Sequence, residues 1–269
     1  TGWVYILDRV TGEPLVGIEE RAVPQEPRQA TAATQPFPVG DPFVTQTLDI
    51  PPEGFDLTNQ GKIFTPFWDE PILLKRGEAN WPPSTVDPTR GYMYVCAGER
   101  QAAYSTQTDT DLASSGDRYT GGSMRFAPVP TTGVVAAVNL RDNKVVWSQR
   151  WSSRCYSGLV ASAGGIVFAG RNDGRFTAID SENGRKLWEF MTDAGVNAPP
   201  AIFEHEGEQY VAVLSAGNLL AGSKRGDSVW LFGLESSGIE SAIEIDQVTT
   251  PLSSAEGQAL YGQNCVFCH

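Results

Sequence analysis

The most specific chemistry in the chain lies in five consecutive residues, Cys265-Val266-Phe267-Cys268-His269. Two thiols three positions apart, followed at once by an imidazole, can form thioethers to both vinyl groups of a haem while the histidine ligates its iron. A redox dithiol has no need of the trailing imidazole, and a zinc site would want a second ligand pair. Cys265 and Cys268 are therefore expected to hold haem c covalently, with His269 as an axial iron ligand. Covalent haem attachment takes place on the oxidising side of the bacterial inner membrane, so a periplasmic location is expected. In that compartment the other two cysteines, Cys96 and Cys155, are expected to pair, the alternative being two buried thiols that pack as small hydrophobes.

Other reactive side chains are weaker candidates. His205 lies in a charged turn, Phe203-Glu204-His205-Glu206-Gly207, and reads as a solvated residue. Lys224-Arg225 could bring a cation to an anionic ligand, but such a pair is more often a surface turn. Asp69-Glu70 and Glu19-Glu20 read as solubilising charge on loops.

The elements that must position any site are strands. Segments such as Gly91–Val95, Gly133–Val138, Gly165–Ala169, Gln209–Leu214 and Ser228–Phe232 are short, rich in β-branched and aromatic residues, and bounded by turn formers. The chain has 269 residues, 41% hydrophobic and 19% charged, which is enough apolar matter for a core and too little charge for disorder. Its net charge of −12 argues against nucleic acid or anionic headgroups as partners. No window approaches the roughly 18 apolar residues of a membrane span.

A repeat organises these strands. Ala178-x-Asp180-x-x-x-Gly184-x-x-x-Trp188 matches Ala137-x-Asn139-x-x-x-Asn143-x-x-x-Trp147 at an offset of 41 residues, and a weaker copy opens the chain at Ile6-x-Asp8-x-x-x-Gly12. A period near 40 residues built of short strands is that of a β-propeller blade. The Asp or Asn and the Gly make a tight hairpin, and the Trp is expected to lie flat between adjacent blades. The proline-punctuated stretch 17–60 reads as an extended insertion over the propeller face without strand alternation. Residues 235–252 read as an acidic linker, and 253–269 as the helical start of a further domain, with Ser253 or Ser254 as its N-cap.

Residues 256–269, Glu256-Gly257-x-x-Leu260-Tyr261-x-x-Asn264 before the cysteine motif, resemble the start of a class I c-type cytochrome domain, whose usual Met sixth ligand would lie after His269. With the propeller repeat ahead of it, the chain resembles the quinoprotein dehydrogenases that bind pyrroloquinoline quinone (PQQ), and more closely the quinohaemoprotein type. The resemblance rests on Gly2-Trp3-Val4-Tyr5-Ile6-Leu7-Asp8-Arg9-x-Thr11-Gly12, Ala79-Asn80-Trp81-Pro82-Pro83, Ala163–Phe168, Gly195-Val196-Asn197-Ala198-Pro199-Pro200 and Gly226–Trp230. It implies an all-β fold: about three to four blades of an eight-bladed propeller over residues 1–234, followed by the cytochrome start.

For the site, the resemblance implies that Asn80 hydrogen-bonds the quinone and that Trp81 packs in the same loop. It also puts Tyr156 where many members have a Trp beside the cofactor, and Asn218 and Leu220 in a segment lining it. As residue readings, Asn80 is equally a turn residue and Tyr156 a half-buried core aromatic. The family's catalytic Asp and calcium ligands match nothing in this sequence. The chain is thus expected to be a piece of a longer, PQQ- and calcium-dependent dehydrogenase, inactive alone, that oxidises an alcohol or aldose. Its electrons would pass through haem c to a cytochrome or quinone acceptor. A non-catalytic propeller scaffold with a cytochrome tail is the alternative, because outer-membrane assembly lipoproteins share the blade motif.

Overall fold

A computed structural model of the chain describes residues 1–106 and 121–234. The cysteine–histidine motif, the linker and the expected helical segment 253–269 lie outside the described residues. Everything below concerns the unit Thr1–Gly233. Among the described residues the only helical element is one 3-10 turn, Asn59–Gly61, and no helix is long and apolar enough to cross a membrane.

Strands come in antiparallel sets. β1 (Ile18–Ala22) and β2 (Thr34–Pro38) form a hairpin. β3 (Ile72–Glu78), β4 (Thr85–Asp87), β5 (Tyr92–Thr106), β6 (Gly122–Phe126), β7 (Thr132–Asn139) and β8 (Lys144–Trp151) form one sheet. A second sheet runs β9 (Leu159–Ala161), β10 (Ile166–Gly170), β11 (Arg175–Asp180) and β12 (Lys186–Met191) in order. A third holds β13 (Ala201–His205), β14 (Glu208–Ser215) and β15 (Ser228–Gly233).

The first two sheets share one plan: a three-residue inner strand (β4, β9) followed by three longer neighbours. The 15-residue β5 departs from it, because its second half leaves the blade to pair with β3 and β6. Tyr92 to Asn139 is 47 positions, whereas the equivalent paired residues Ile166 and Asp180 are 14 apart, so the first sheet carries 33 additional residues.

Hydrophobic faces stack these sheets on one another. Along β7, Val135 and Ala137 point to one side and Val134, Ala136 and Val138 to the other, as a strand's two-residue period requires. All five are buried, because both faces are covered. The first side packs with Tyr94 and Trp147 against Leu159, Val167, Ala169 and Ile179 of the second sheet. Phe176 on the far side of the second sheet meets Val213 and Phe232 of the third, and Val196 of the loop before it. The remaining face of the first sheet is closed by Phe43 and Val44.

The repeat's geometry explains its spacing. Ala137 lies directly opposite Trp147 and Ala178 opposite Trp188, and a bulge follows each pair, at Ala137/Val138 and Ala178/Ile179. The amides of Asn143 and Gly184 donate to the carbonyls of Asn139 (2.8 Å) and Asp180 (2.9 Å), with φ of 57° and 77°. The side chains of Asn139 and Asp180 accept from the amides two residues on. Asp8–Gly12 and Asp87–Gly91 make the same turn. These backbone donors hold the Asp8 and Asp180 carboxyls below the usual carboxylate range; for Asp87 the larger cause is the Arg90 guanidinium. Trp147 covers Gly184 so closely that a Cβ there would sit 2.7 Å from the indole.

Residues 2–8 are held by a bridge from Leu7 to Pro14 and by single bonds, among them Asn143 Nδ2 to the Val4 carbonyl at 2.9 Å. The expectations for the insertion need correction. The insertion 17–60 does contain strands, β1 and β2. Its prolines Pro36 and Pro38 are tolerated because each strand of an isolated hairpin has a free edge on which a missing N–H costs nothing. For the same reason Glu19 and Glu20 lie on a strand, where Glu19 pairs with Arg21.

Glu99 on β5 fastens the insertion to the blade. Its carboxylate is 1% exposed and accepts the Thr45 amide at 2.9 Å and hydroxyl at 2.6 Å, with Arg150 on its other oxygen and Lys75 at 3.7 Å. Burial pushes the carboxyl upward, but the Thr45 hydrogen bonds and the two cations outweigh it and hold it below its ordinary value of 4.5. A lowered carboxyl stabilises the fold above its unfolded value and loses that contribution as pH falls through its folded value. Glu99→Gln is therefore expected to lower the unfolding free energy by about 2 kcal/mol near neutral pH. In urea titrations the gap to wild type should shrink as pH falls below the ordinary value of 4.5 and through the lowered folded value; a gap independent of pH would contradict this role.

Candidate functional site

Each inner strand is preceded by an irregular loop: 79–84 before β4, 152–158 before β9 and 193–200 before β13. The sheets' common plan brings these equivalent loops together. The Leu159 amide donates to the Pro83 carbonyl at 3.0 Å, and the Ser157 hydroxyl to the Ala198 carbonyl at 3.1 Å. Gly158 lies at the meeting point: a Cβ there would fall 2.4 Å from Pro199 and 2.8 Å from Pro83. The junction therefore demands a residue without a side chain.

A fourth segment, 217–223 between β14 and β15, closes against them. The Gly195 amide donates to the Lys224 carbonyl at 2.9 Å, and the Gly217 amide to the Gly195 carbonyl at 2.8 Å. The Asn218 side-chain oxygen accepts the Ala221 amide at 3.0 Å, so it shapes its own loop. Leu219 and Leu220 remain 76% and 60% exposed. Asp193 anchors the base of the 193–200 loop by accepting the Ser228 hydroxyl at 2.6 Å; this bond, with one from Trp230, holds its carboxyl at about 2.

Tyr156 is buried, with the Arg154 guanidinium 4.2 Å over its ring. Arg154 also donates to the Leu220 carbonyl at 3.0 Å, joining the Tyr156 loop to the 217–223 loop. Between them, Cys155 is bonded to Cys96 of β5, so the expected disulfide is present. Arg154, Ser153, Asn172, Arg100 and Leu220 line a recess of about 470 Å³.

Of the five residues expected around a quinone, the structure brings Tyr156, Asn218 and Leu220 into one linked group. Asn80 lines a different recess of about 340 Å³, with Thr1, Trp3, Pro83 and Met93. Its loop reaches the Tyr156 group through the Pro83–Gly158–Pro199 contact. Trp81 does not pack within that loop; it is 72% exposed. Cys265, Cys268 and His269 lie outside the described residues. His205 is solvated in the β13–β14 turn, and Lys224 and Arg225 are exposed.

Two participants were not singled out from sequence. Arg154 precedes a cysteine and carries no motif of its own. Asn197 stands four residues before β13, the station Trp81 holds before β4 and nearly that of Tyr156 before β9. That shared station is the signal that could have found it.

The chemistry of this surface suits a flat, polycarboxylated ligand. Guanidinium groups of Arg154 and Arg100 offer charge, and Leu219 and Leu220 apolar area, while Asn80 offers an exposed amide in the neighbouring recess.

A family model described as the glucose/ethanol/alcohol dehydrogenase β-propeller domain matches residues 1–211. The chain is 30% identical over 174 residues to a quinoprotein ethanol dehydrogenase of Pseudomonas aeruginosa, covering 60% of this chain and 28% of that protein. It is 25% identical over 248 residues to the quinoprotein alcohol dehydrogenase PedE of Pseudomonas putida, covering 87% of this chain and 34% of the relative. The chain thus spans about a third or less of the length of these curated relatives. The crystal structure of the quinohemoprotein alcohol dehydrogenase from Comamonas testosteroni shares the fold, with a TM-score of 0.51 at 21% identity over 94% of this chain and 43% of that one.

Proposed function

Because the chain belongs to the glucose/ethanol/alcohol dehydrogenase β-propeller family, we propose that it supplies one wall of the PQQ site of a periplasmic dehydrogenase for a small alcohol or aldose. The observation that carries this reading is the meeting of three equivalent loops, before β4, β9 and β13, with the 217–223 loop: Arg154 ties the Tyr156 loop to Leu220, and Pro83 brings the Asn80 loop against Gly158. Bound PQQ would supply the two-electron acceptor for alcohol oxidation.

The chain's own residues bind and orient. Asn80 can donate to a quinone oxygen or a carboxylate through its amide. Arg154 can share its charge with a cofactor carboxylate while keeping Tyr156 in place by its stacking contact. Leu219 and Leu220 present apolar area that a planar ring would cover, excluding water from that side. Calcium belongs to the same proposal, held by residues other than those described. Haem c on Cys265 and Cys268, with His269 on its iron, would carry electrons singly to a downstream cytochrome or quinone.

The test uses the full-length protein. Reconstitution with PQQ and calcium should give dye reduction that depends on ethanol or glucose, and haem should stay with the polypeptide through acidic solvent extraction. Substrate-dependent dye reduction that does not need PQQ would overturn the quinone reading, and no substrate-dependent dye reduction with PQQ and calcium present would favour the scaffold. Extractable or absent haem would overturn the electron route.

A further inference from the structure

Resting on that quinone reading, we infer that Asn197 is a positioning residue of the cofactor site, an amide that, beside Arg154, fixes the Tyr156 loop and the Leu220 loop relative to each other. Both the nitrogen and the oxygen of its side-chain amide are engaged. Nδ2 donates to the Tyr156 carbonyl at 3.1 Å and to Asn172 Oδ1 at 2.7 Å. Oδ1 accepts the Ser223 hydroxyl at 2.6 Å. Asn172 passes the connection on, its Nδ2 donating to the Ala221 carbonyl at 2.8 Å. Ser223 does the same by accepting the Asn218 amide at 2.7 Å. Two donors and one acceptor thus meet partners of the right kind in segments that are 41, 25 and 26 positions away.

Only an amide fits this place. A carboxylate would keep the bond from Ser223 but set a lone pair against the Tyr156 carbonyl and Asn172 Oδ1. An aliphatic side chain would lose all three bonds. The approach is close as well, since a Cβ on Gly195 would fall 2.5 Å from Ser223 Cβ. Asn197 is half-buried and belongs to none of the apolar clusters, so its bonds go to the segments bearing Tyr156, Asn218 and Leu220 rather than to the core. Its station before β13 matches that of Trp81 before β4 and nearly that of Tyr156 before β9, so it lies in the loop that precedes the first strand of its sheet, as Tyr156 does.

The test is PQQ affinity of the full-length apoprotein, measured by quenching of tryptophan fluorescence, beside the urea midpoint of each protein. Asn197→Asp and Ser223→Ala are each expected to weaken PQQ roughly tenfold, the loss of about one hydrogen bond's worth of organisation. Because both act through one network, the double variant should be close to the worse single one rather than a hundredfold weaker. Ser223→Ala keeps the backbone bonds of its loop and serves if Asn197→Asp does not fold. Unchanged affinity with a lowered urea midpoint would reduce Asn197 to a structural bond, and multiplicative losses would sink the shared network. Absence of PQQ binding by the wild type would instead overturn the quinone reading on which this role rests.

Discussion

Replacing Cys96 and Cys155 together by alanine is expected to lower the unfolding free energy by about 4 kcal/mol. The bond joins β5 to the loop before β9 across 59 positions of sequence, so its loss frees a long segment of the unfolded chain. Chain entropy for a loop of that length gives about this value. Both residues are buried in the cluster between the first two sheets, at 3% and 1% exposure, where alanine leaves only a small void. The loss should appear as a melting temperature lower by roughly 10 °C. Urea unfolding without reductant checks it directly. Wild type unfolded and refolded under reducing conditions should match the double variant, and a loss below about 1 kcal/mol would contradict the account. Since Cys155 sits between Arg154 and Tyr156, the variant should also loosen PQQ binding.

Trp147→Ala is expected to cost about 3–5 kcal/mol, as large aromatic truncations in a core do. The indole is buried between β8 and the β11–β12 hairpin, lies 5.9 Å from the Tyr94 ring, and covers Gly184. Its Nε1 donates to the Ser181 carbonyl at 3.0 Å, where Tyr94 also donates at 3.1 Å. Truncation removes this contact between sheets and leaves a void that neither hairpin can collapse into, because Asp180–Gly184 is fixed by its own hydrogen bonds. Trp188 occupies the same station in the second sheet but is 40% exposed, packed edge-on to Phe232 at 5.1 Å. Its alanine variant should cost clearly less. Equal losses at the two positions in equilibrium unfolding would show that Trp147 does not join the sheets.

The blade motif could be read in the sequence because turn chemistry is local. Asn139 to Asn143 and Asp180 to Gly184 fix a hairpin within five residues, and the Trp follows at a distance set by the bulge. What escaped reading depends on distant partners. Glu99 looks like a surface acid until Thr45 and Arg150 arrive from elsewhere in the chain. The turn Asp87–Gly91 has the same form as the repeats, but the 33 additional residues of the first sheet separate it from the rest of its blade. The prolines of β2 hid a hairpin because proline is penalised only where its N–H is needed.

At the site, the loop positions of Asn80 and Tyr156 were legible only through a family resemblance. Nothing local distinguishes an amide that faces a ligand from one that caps a turn. Asn218 shows the difficulty: its side chain is spent on Ala221 in its own loop, while the neighbouring leucines are left exposed. Asn197 lies within Gly195–Pro200, one of the segments that carry the resemblance, yet its partners at 156, 172 and 223 become visible only once three loops have folded together.

The most direct test of the central claim is a crystal structure of the full-length protein with PQQ. The account predicts the quinone against the meeting point of the loops before β4, β9 and β13, with atoms within about 4 Å of Asn80, Tyr156 and Leu220. A quinone bound out of reach of all three, with those loops unchanged, would contradict it.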